Sequence, residues 1–115
     1  MTGSHKEKIE QFVQMVNNRD VNHLDNVLDN NVEKKENSKT IYSNLQEARE
    51  FYSIEHETFP KSQFKSIEFK EDDSNKNTAH ATITFGNNIH NITYIFNSDG
   101  KIQNIDSHLE QKSEE

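Results

Sequence analysis

The chain has no cysteine, which excludes disulfides, thiolate metal sites and a cysteine nucleophile, and leaves its redox compartment open. Its 3 glycines are too few to build a phosphate-cradling loop. Basic stripes are missing too. The longest cluster, Lys34-Lys35, is flanked by Glu33 and Glu36, and the net charge is -7. That balance argues against a nucleic-acid or anionic-membrane partner. No apolar run approaches the roughly 18 residues of a membrane span, and no signal-peptide core is visible near the start. The expectation is a soluble, cytoplasmic protein. Apolar residues are scarce as well, at 30% of 115 residues with a mean hydropathy of -1.08. The core is thin for the length, so apolar surface shared with a second copy would help to stabilise it. Gly3-Ser4-His5 has the look of a cloning remnant, and no chemistry is assigned to His5.

What is present is most informative over residues 78–109. In Thr78–Phe85 the apolar Ala79, Ala81, Ile83 and Phe85 fall on every second position. A Gly-Asn-Asn turn leads to Ile89–Phe96, in which Ile92, Tyr94 and Phe96 share a face, and a Ser-Asp-Gly turn leads to a third segment. Period two is what a strand with one buried face requires, because successive side chains point to opposite sides. An antiparallel meander is expected here.

Ahead of it the pattern is helical. Ile9, Phe12, Val13 and Val16 form an i, i+3, i+4, i+7 stripe over residues 5–18, with Ser4 as N-cap, broken by Asn17-Asn18-Arg19. Asp20 is expected to cap a second, shorter helix carrying Val21, Leu24 and Leu28, stopped by Asp29-Asn30-Asn31. Residues 32–42 read as a short edge strand and a loop around Asn37-Ser38. Ser43-Asn44-Leu45-Gln46 fits a capping box that closes between Ser43 and Gln46. The helix it opens buries Leu45, Ala48, Phe51, Tyr52 and Ile54, and ends before Pro60. A strand follows at 63–70, with Ile67 and Phe69 on one face. Residues 1–110 are expected to form one domain, with a charged, disordered tail at 111–115.

This order of elements resembles the nuclear-transport-factor-2-like (SnoaL-like, cystatin-like α+β) superfamily. The resemblance rests on Phe12-Val13 followed by Val16-Asn17-Asn18-Arg19-Asp20, on Asp29-Asn30-Asn31-Val32, and on Arg49-Glu50-Phe51-Tyr52. Phe59-Pro60 and Phe96-Asn97-Ser98-Asp99-Gly100-Lys101-Ile102 extend it. It implies an α+β fold: three N-terminal helices packed into the concave face of a strongly bent, mostly antiparallel four- to six-stranded sheet. A conical pocket would lie between helices and sheet. Ala79, Ala81, Ile83, Phe85, Ile92, Tyr94, Phe96, Ile105 and Leu109 would then face the helices. His80, Asn91, Thr93, Ile95, Asp106 and His108 would lie on the outer face.

The best-known enzyme resembling this fold is ketosteroid isomerase, which uses a Tyr and a protonated Asp as an oxyanion hole plus a carboxylate base. Laid against that pattern, this chain has Phe12 at the Tyr, Lys34 at the base and Ile92 at the Asp; Tyr52 matches a supporting Tyr. Phe and Ile donate no hydrogen bond, so the main stabilising term for an oxyanion is lost. The resemblance therefore implies that isomerase chemistry of that type is absent.

Another acid–base set is conceivable from His90, Tyr94, Tyr52, Tyr42 and His56, with His90 at the pocket rim titrating near neutral pH. His56, whose neighbours are Glu55 and Glu57, reads as surface. Asp106-x-His108, with His80 on the same face, is short of the three or four ligands that zinc takes, and no metal or cofactor is expected. Ser43 is accounted for by capping. Asn91-Ile92-Thr93 matches a glycosylation sequon, but at mid-strand.

Two functions fit. One is a non-catalytic module binding a small apolar ligand or a partner, with Phe12, Tyr52, Phe59, Ile83, Phe85, His90, Ile92 and Tyr94 lining the site. The other is a small lyase, isomerase or cyclase using His90, Tyr94 and Tyr52. A homodimer through the outer sheet face is expected, because Ile89 and Ile95 sit there among the small, neutral Thr82, Thr84, Asn91 and Thr93.

Overall fold

A computed structural model describes residues 5–58, 64–72, 74–86 and 88–110. Ser4, Phe59, Pro60, Gln63 and the 111–115 tail fall outside the described residues. Helix α1 spans His5–Asn17 and buries Ile9, Phe12 and Val16. It ends in a Schellman motif: the Arg19 amide donates to the Val16 carbonyl and the Asp20 amide to that of Met15. Arg19 takes the left-handed position at φ 61°, where a glycine is usual.

The second helix departs from expectation. Val21–Asn26 is a 3₁₀ helix, and Asp20 makes no side-chain cap. Its carboxylate bonds His23 Nδ1 instead, at 2.8 Å. Asp29-Asn30-Asn31 does not stop a helix; Leu28 opens strand β1, Leu28–Glu36, which runs straight through these residues. The parallel ladder to the last strand holds at Leu28 and again from Glu33, and between them the local preference survives as an irregularity in which the Asn31 amide donates to Asp29 Oδ1. Strand β2, Lys39–Tyr42, then forms the sheet edge. The β1–β2 turn at Asn37-Ser38 has both residues at positive φ, 52° and 74°, as a two-residue hairpin of matching twist requires.

Helix α2, Leu45–Thr58, is boxed one residue later than the sequence suggests. Asn44 Oδ1 accepts from the Glu47 amide, and Glu47 Oε1 accepts from the Ser43 amide, both at 2.8 Å. Leu45, Ala48 and Tyr52 are buried, Phe51 is half-buried, and Ile54 is not in the core at all, being 63% exposed. Strands β3 (Phe64–Glu71), β4 (Thr78–Phe85), β5 (Asn88–Phe96) and β6 (Ile102–Leu109) complete the sheet.

The sheet has 6 strands in the order β2-β1-β6-β5-β4-β3. Every neighbouring pair is antiparallel except β1–β6. α1 lies against β3 and β4, while α2 lies against β1, β2 and the 3₁₀ helix. This is the expected α+β architecture. Ala79, Ala81, Ile83, Ile92, Tyr94, Phe96 and Ile105 are buried beneath the helices. Phe85 is half-buried, and Leu109 is 43% exposed because β6 ends beyond the helical cover. Among the described residues no helix is long and apolar enough to cross a membrane.

Side-chain amides tie the frame together. Asn17 at the end of α1 reads both backbone groups of Phe64: its Nδ2 donates to the carbonyl and its Oδ1 accepts from the amide, each at 2.8 Å. Asn97 Oδ1 accepts from the Asp99 and Lys101 amides, and its Nδ2 donates to Asp29 Oδ2 at 2.6 Å. Asn17 thus holds β3 against the end of α1, and Asn97 ties the β5–β6 turn to β1. His5 stacks on Phe96 at 4.1 Å and bonds Glu71 at 2.9 Å, so it belongs to the packing.

Candidate binding cavity

The alternation of β1 decides what the cone contains. Val32 is in the core, so Lys34 and Glu36, two and four residues on, share its face. Register then sets neighbours: Lys34 lies opposite Ile105 on β6, which lies opposite Tyr94 on β5, and Glu36 lies opposite Ser107. A cavity of about 30 Å³ sits between α1, α2 and this face, lined by Phe12, Val13, Val16, Lys34, Tyr52, Phe64, Ile83, Ile92, Tyr94 and Ile105. That volume has room for about two waters.

Of the residues named from sequence, Phe12, Tyr52, Ile83, Ile92 and Tyr94 line this cavity. Phe85 does not; it stacks on Phe64 at 4.3 Å at the cavity's side. Phe59 lies outside the described residues. His90 sits beyond the cavity, its Nδ1 3.5 Å from Ser107 Oγ and 3.7 Å from Glu36 Oε2. His56 is not the surface residue expected: it is half-buried, with its ring beside the Val16 backbone of α1. Lys34, Phe64, Val13, Val16 and Ile105 were missed as cavity walls. For Lys34 the signal was available in the period-two run Val32-x-Lys34-x-Glu36, but a polar strand hides its buried face when both faces carry charges.

The polar groups are arranged in two layers. Deep in the cone the Tyr42 and Tyr52 hydroxyls bond each other at 2.9 Å, fully enclosed. Burial pushes the pKa of both, and of Tyr94, well above the usual tyrosine range. These phenols stay protonated donors at any physiological pH. Nearer the mouth the Lys34 ammonium lies 5.5 Å from the Phe51 ring centre and 5.9 Å from that of Tyr52. Among the described residues no carboxylate comes within ion-pair distance of it. Burial lowers its pKa, with Glu36 and Glu55 acting against the shift. Burial raises the pKa of Glu55, whose Oε1 is enclosed without a hydrogen-bond partner, against the pull of Lys34. Burial also lowers the His90 pKa, opposed by Glu36 and reinforced by Lys34.

The ketosteroid-type oxyanion hole is not built, because Phe12 and Ile92 present only carbon to the cavity. His90 turns Nδ1 toward Ser107 and Glu36, and among the described residues no hydrogen bond joins its ring to Tyr42, Tyr52 or Tyr94.

The outer face carries a separate groove of about 490 Å³, bordered by Glu68, Lys70, His80, Thr82, Asn91, Thr93 and His108. There His80 bridges Asp72 Oδ2 at 3.0 Å and Thr93 Oγ1 at 3.1 Å, and His108 lies 3.4 Å from Asp106. Among the described residues no group of three or more His, Asp or Glu is placed to hold a metal ion.

The sequence matches no protein-family model and no curated protein. Solved structures do match. A SnoaL-like polyketide cyclase from Agrobacterium tumefaciens superimposes with a TM-score of 0.77 at 15% identity, over 96% of this chain and 94% of that one. A SnoaL-like protein of unknown function from Burkholderia thailandensis gives 0.80 at 8% identity, over 93% and 94%. An NTF2-like protein of unknown function from Cytophaga hutchinsonii gives 0.70 at 11%, over 96% and 93%. The fold is SnoaL-like. Within it the cone is where helices and sheet meet, and in this chain the cone is apolar, narrow and headed by Lys34. At these identities the likeness speaks for the fold alone; a cyclase and proteins of unknown function share it.

Proposed function

We propose that this protein is a non-catalytic small-ligand-binding module. Its ligand is a small, mostly apolar molecule whose single polar oxygen docks between Lys34 and Tyr52. The observation that carries the reading is one ammonium, without an ion-pair partner among the described residues, set into a wall of Phe12, Val13, Val16, Phe64, Ile83 and Ile92. An enclosed cation favours an oxygen-bearing ligand, and apolar walls favour a hydrocarbon body. At about 30 Å³ the cavity is a closed form. Phe64, half-buried and stacked on the equally half-buried Phe85, is the wall best able to give way.

Short-chain carboxylates, hexanoate among them, test this by thermal shift. They should raise the melting temperature of the wild type and leave Lys34→Met unmoved. Equal response of the two proteins, or none in either, overturns the reading. A 3-keto-Δ5 steroid should isomerise no faster than in buffer.

We also infer a homodimer through the outer sheet face. Ile89 and Ile95 are 38% and 37% exposed there, beside the groove at Thr82, Asn91 and Thr93. Thr82, Asn91 and Thr93 form an uncharged strip bordered by Glu68, Lys70, His80 and His108, and a neutral, partly apolar centre with a charged rim suits a self-complementary interface.

A further inference from the structure

We propose that the ligands of the cone are small aldehydes and ketones, captured reversibly as an imine on Lys34 Nζ. This rests on the cone being the ligand site and deepens it by naming the chemical class. Three observations support it. Lys34 Nζ reaches into an apolar cavity and is neighboured by aromatic rings at 5.5 and 5.9 Å. A lysine held in apolar surroundings gives up its proton more readily than one in water, and the neutral amine is the nucleophile. Its lowered pKa is in keeping with that geometry.

The second observation is Glu55 on α2, which bears electrostatically on Lys34 and whose Oε1 is enclosed without a hydrogen-bond partner. Burial favours its protonated form, and a carboxyl shifted in that direction can give a proton to a departing hydroxyl. The third is the Tyr42–Tyr52 hydroxyl pair. Either hydroxyl can donate in this pair, and the arrangement in which Tyr42 donates leaves the Tyr52 hydrogen for a carbonyl oxygen.

The chemistry balances without any oxidant or reductant. The Nζ lone pair attacks the carbonyl carbon, a C–N bond forms, and the π electrons move to oxygen. A proton passes from nitrogen to that oxygen, giving the carbinolamine. The C–O bond then breaks, the departing hydroxyl takes a proton from the Glu55 carboxyl, and water leaves. The resulting protonated imine faces the Glu55 carboxylate. Hydrolysis reverses each step.

Lys35 is a built-in control, since it is exposed on the opposite face of the same strand. The test is propanal with cyanoborohydride at pH 7, followed by peptide mapping of the alkylated lysines. Lys34 should be labelled severalfold faster than Lys35. Glu55→Gln should slow labelling of Lys34 severalfold and leave Lys35 unchanged. Labelling of Lys34 no faster than Lys35, while hexanoate still shifts the melting temperature, overturns the imine and spares the binding site. Failure of both measurements removes the two readings together.

Discussion

Phe12 stands edge-on to Tyr52 at 5.8 Å and is 5% exposed, so it both walls the cone and props its deepest polar pair. Truncating it should cost roughly 3–5 kcal/mol in denaturant unfolding, as large core aromatics do. Tyr52→Phe should cost about 1–3 kcal/mol, because the Tyr42 hydroxyl is then enclosed without a partner. His90 makes a pH prediction. Its pKa is held below 6.5 by burial, so the unfolded chain binds more protons than the folded one just below pH 6.5. Stability is therefore full above that pH and falls as pH drops through it. Glu36 on β1, Lys34 on β1 and Ser107 on β6 are the groups that bear on it. Glu55 slopes the opposite way, losing stability as pH rises above 4.5, so the readout is a difference. His90→Asn should show a smaller decline than wild type between pH 6.5 and 5.5 in urea midpoints. An unchanged decline contradicts the placement of His90. At this scale the apolar walls were legible from residue type, whereas Lys34 was placed at the pocket only through the family pattern and was not counted among the walls. A buried Ile announces itself by type, whereas a half-buried Lys needs its spacing from Val32 and the register that puts it beside Ile105.

Elements whose burial alternates were readable from residues alone: the expected Thr78–Phe85 is the observed β4, and Ile89–Phe96 begins one residue later than β5. Elements set by long-range pairing were not. Asp29-Asn30-Asn31 carries turn formers, yet β6 pairs with Leu28 before it and Glu33 after it, so it becomes an irregularity within β1, with the Asp29 carboxylate taken by the Asn31 amide and Asn97. Nothing local to those residues signals a partner some seventy positions on, at Ile102 and beyond. The cap of α2 was misplaced by one residue for a different reason. Ser43, Asn44, Gln46 and Glu47 make two overlapping boxes, and the Asn–Glu pair wins. Asn44→Ala should lower stability by about 1 kcal/mol, and Ser43→Ala by much less. The reverse order in chemical denaturation restores the Ser–Gln box.

At the scale of the whole molecule, a thin apolar content has to cover a 6-stranded sheet with two α-helices and one short 3₁₀ helix. The helices cover the concave face only, which leaves Ile89 and Ile95 partly exposed on the outer one; the proposed homodimer would cover them. Light scattering at micromolar concentration should give twice 13.4 kDa, and Thr93→Lys should return the monomer mass with the fold intact. A wild-type mass near 13.4 kDa excludes the dimer. The concave face holds the central claim, that the cone headed by Lys34 is where a ligand enters. Isoleucine methyl NMR during a hexanoate titration reads it residue by residue. Ile83, Ile92 and Ile105 line the cavity, while Ile54, Ile89 and Ile95 are exposed away from it. The first three methyls should shift together and saturate, and the other three should hold still. Shifts confined to Ile54, Ile89 or Ile95, or no shift at any of the six, would contradict the account.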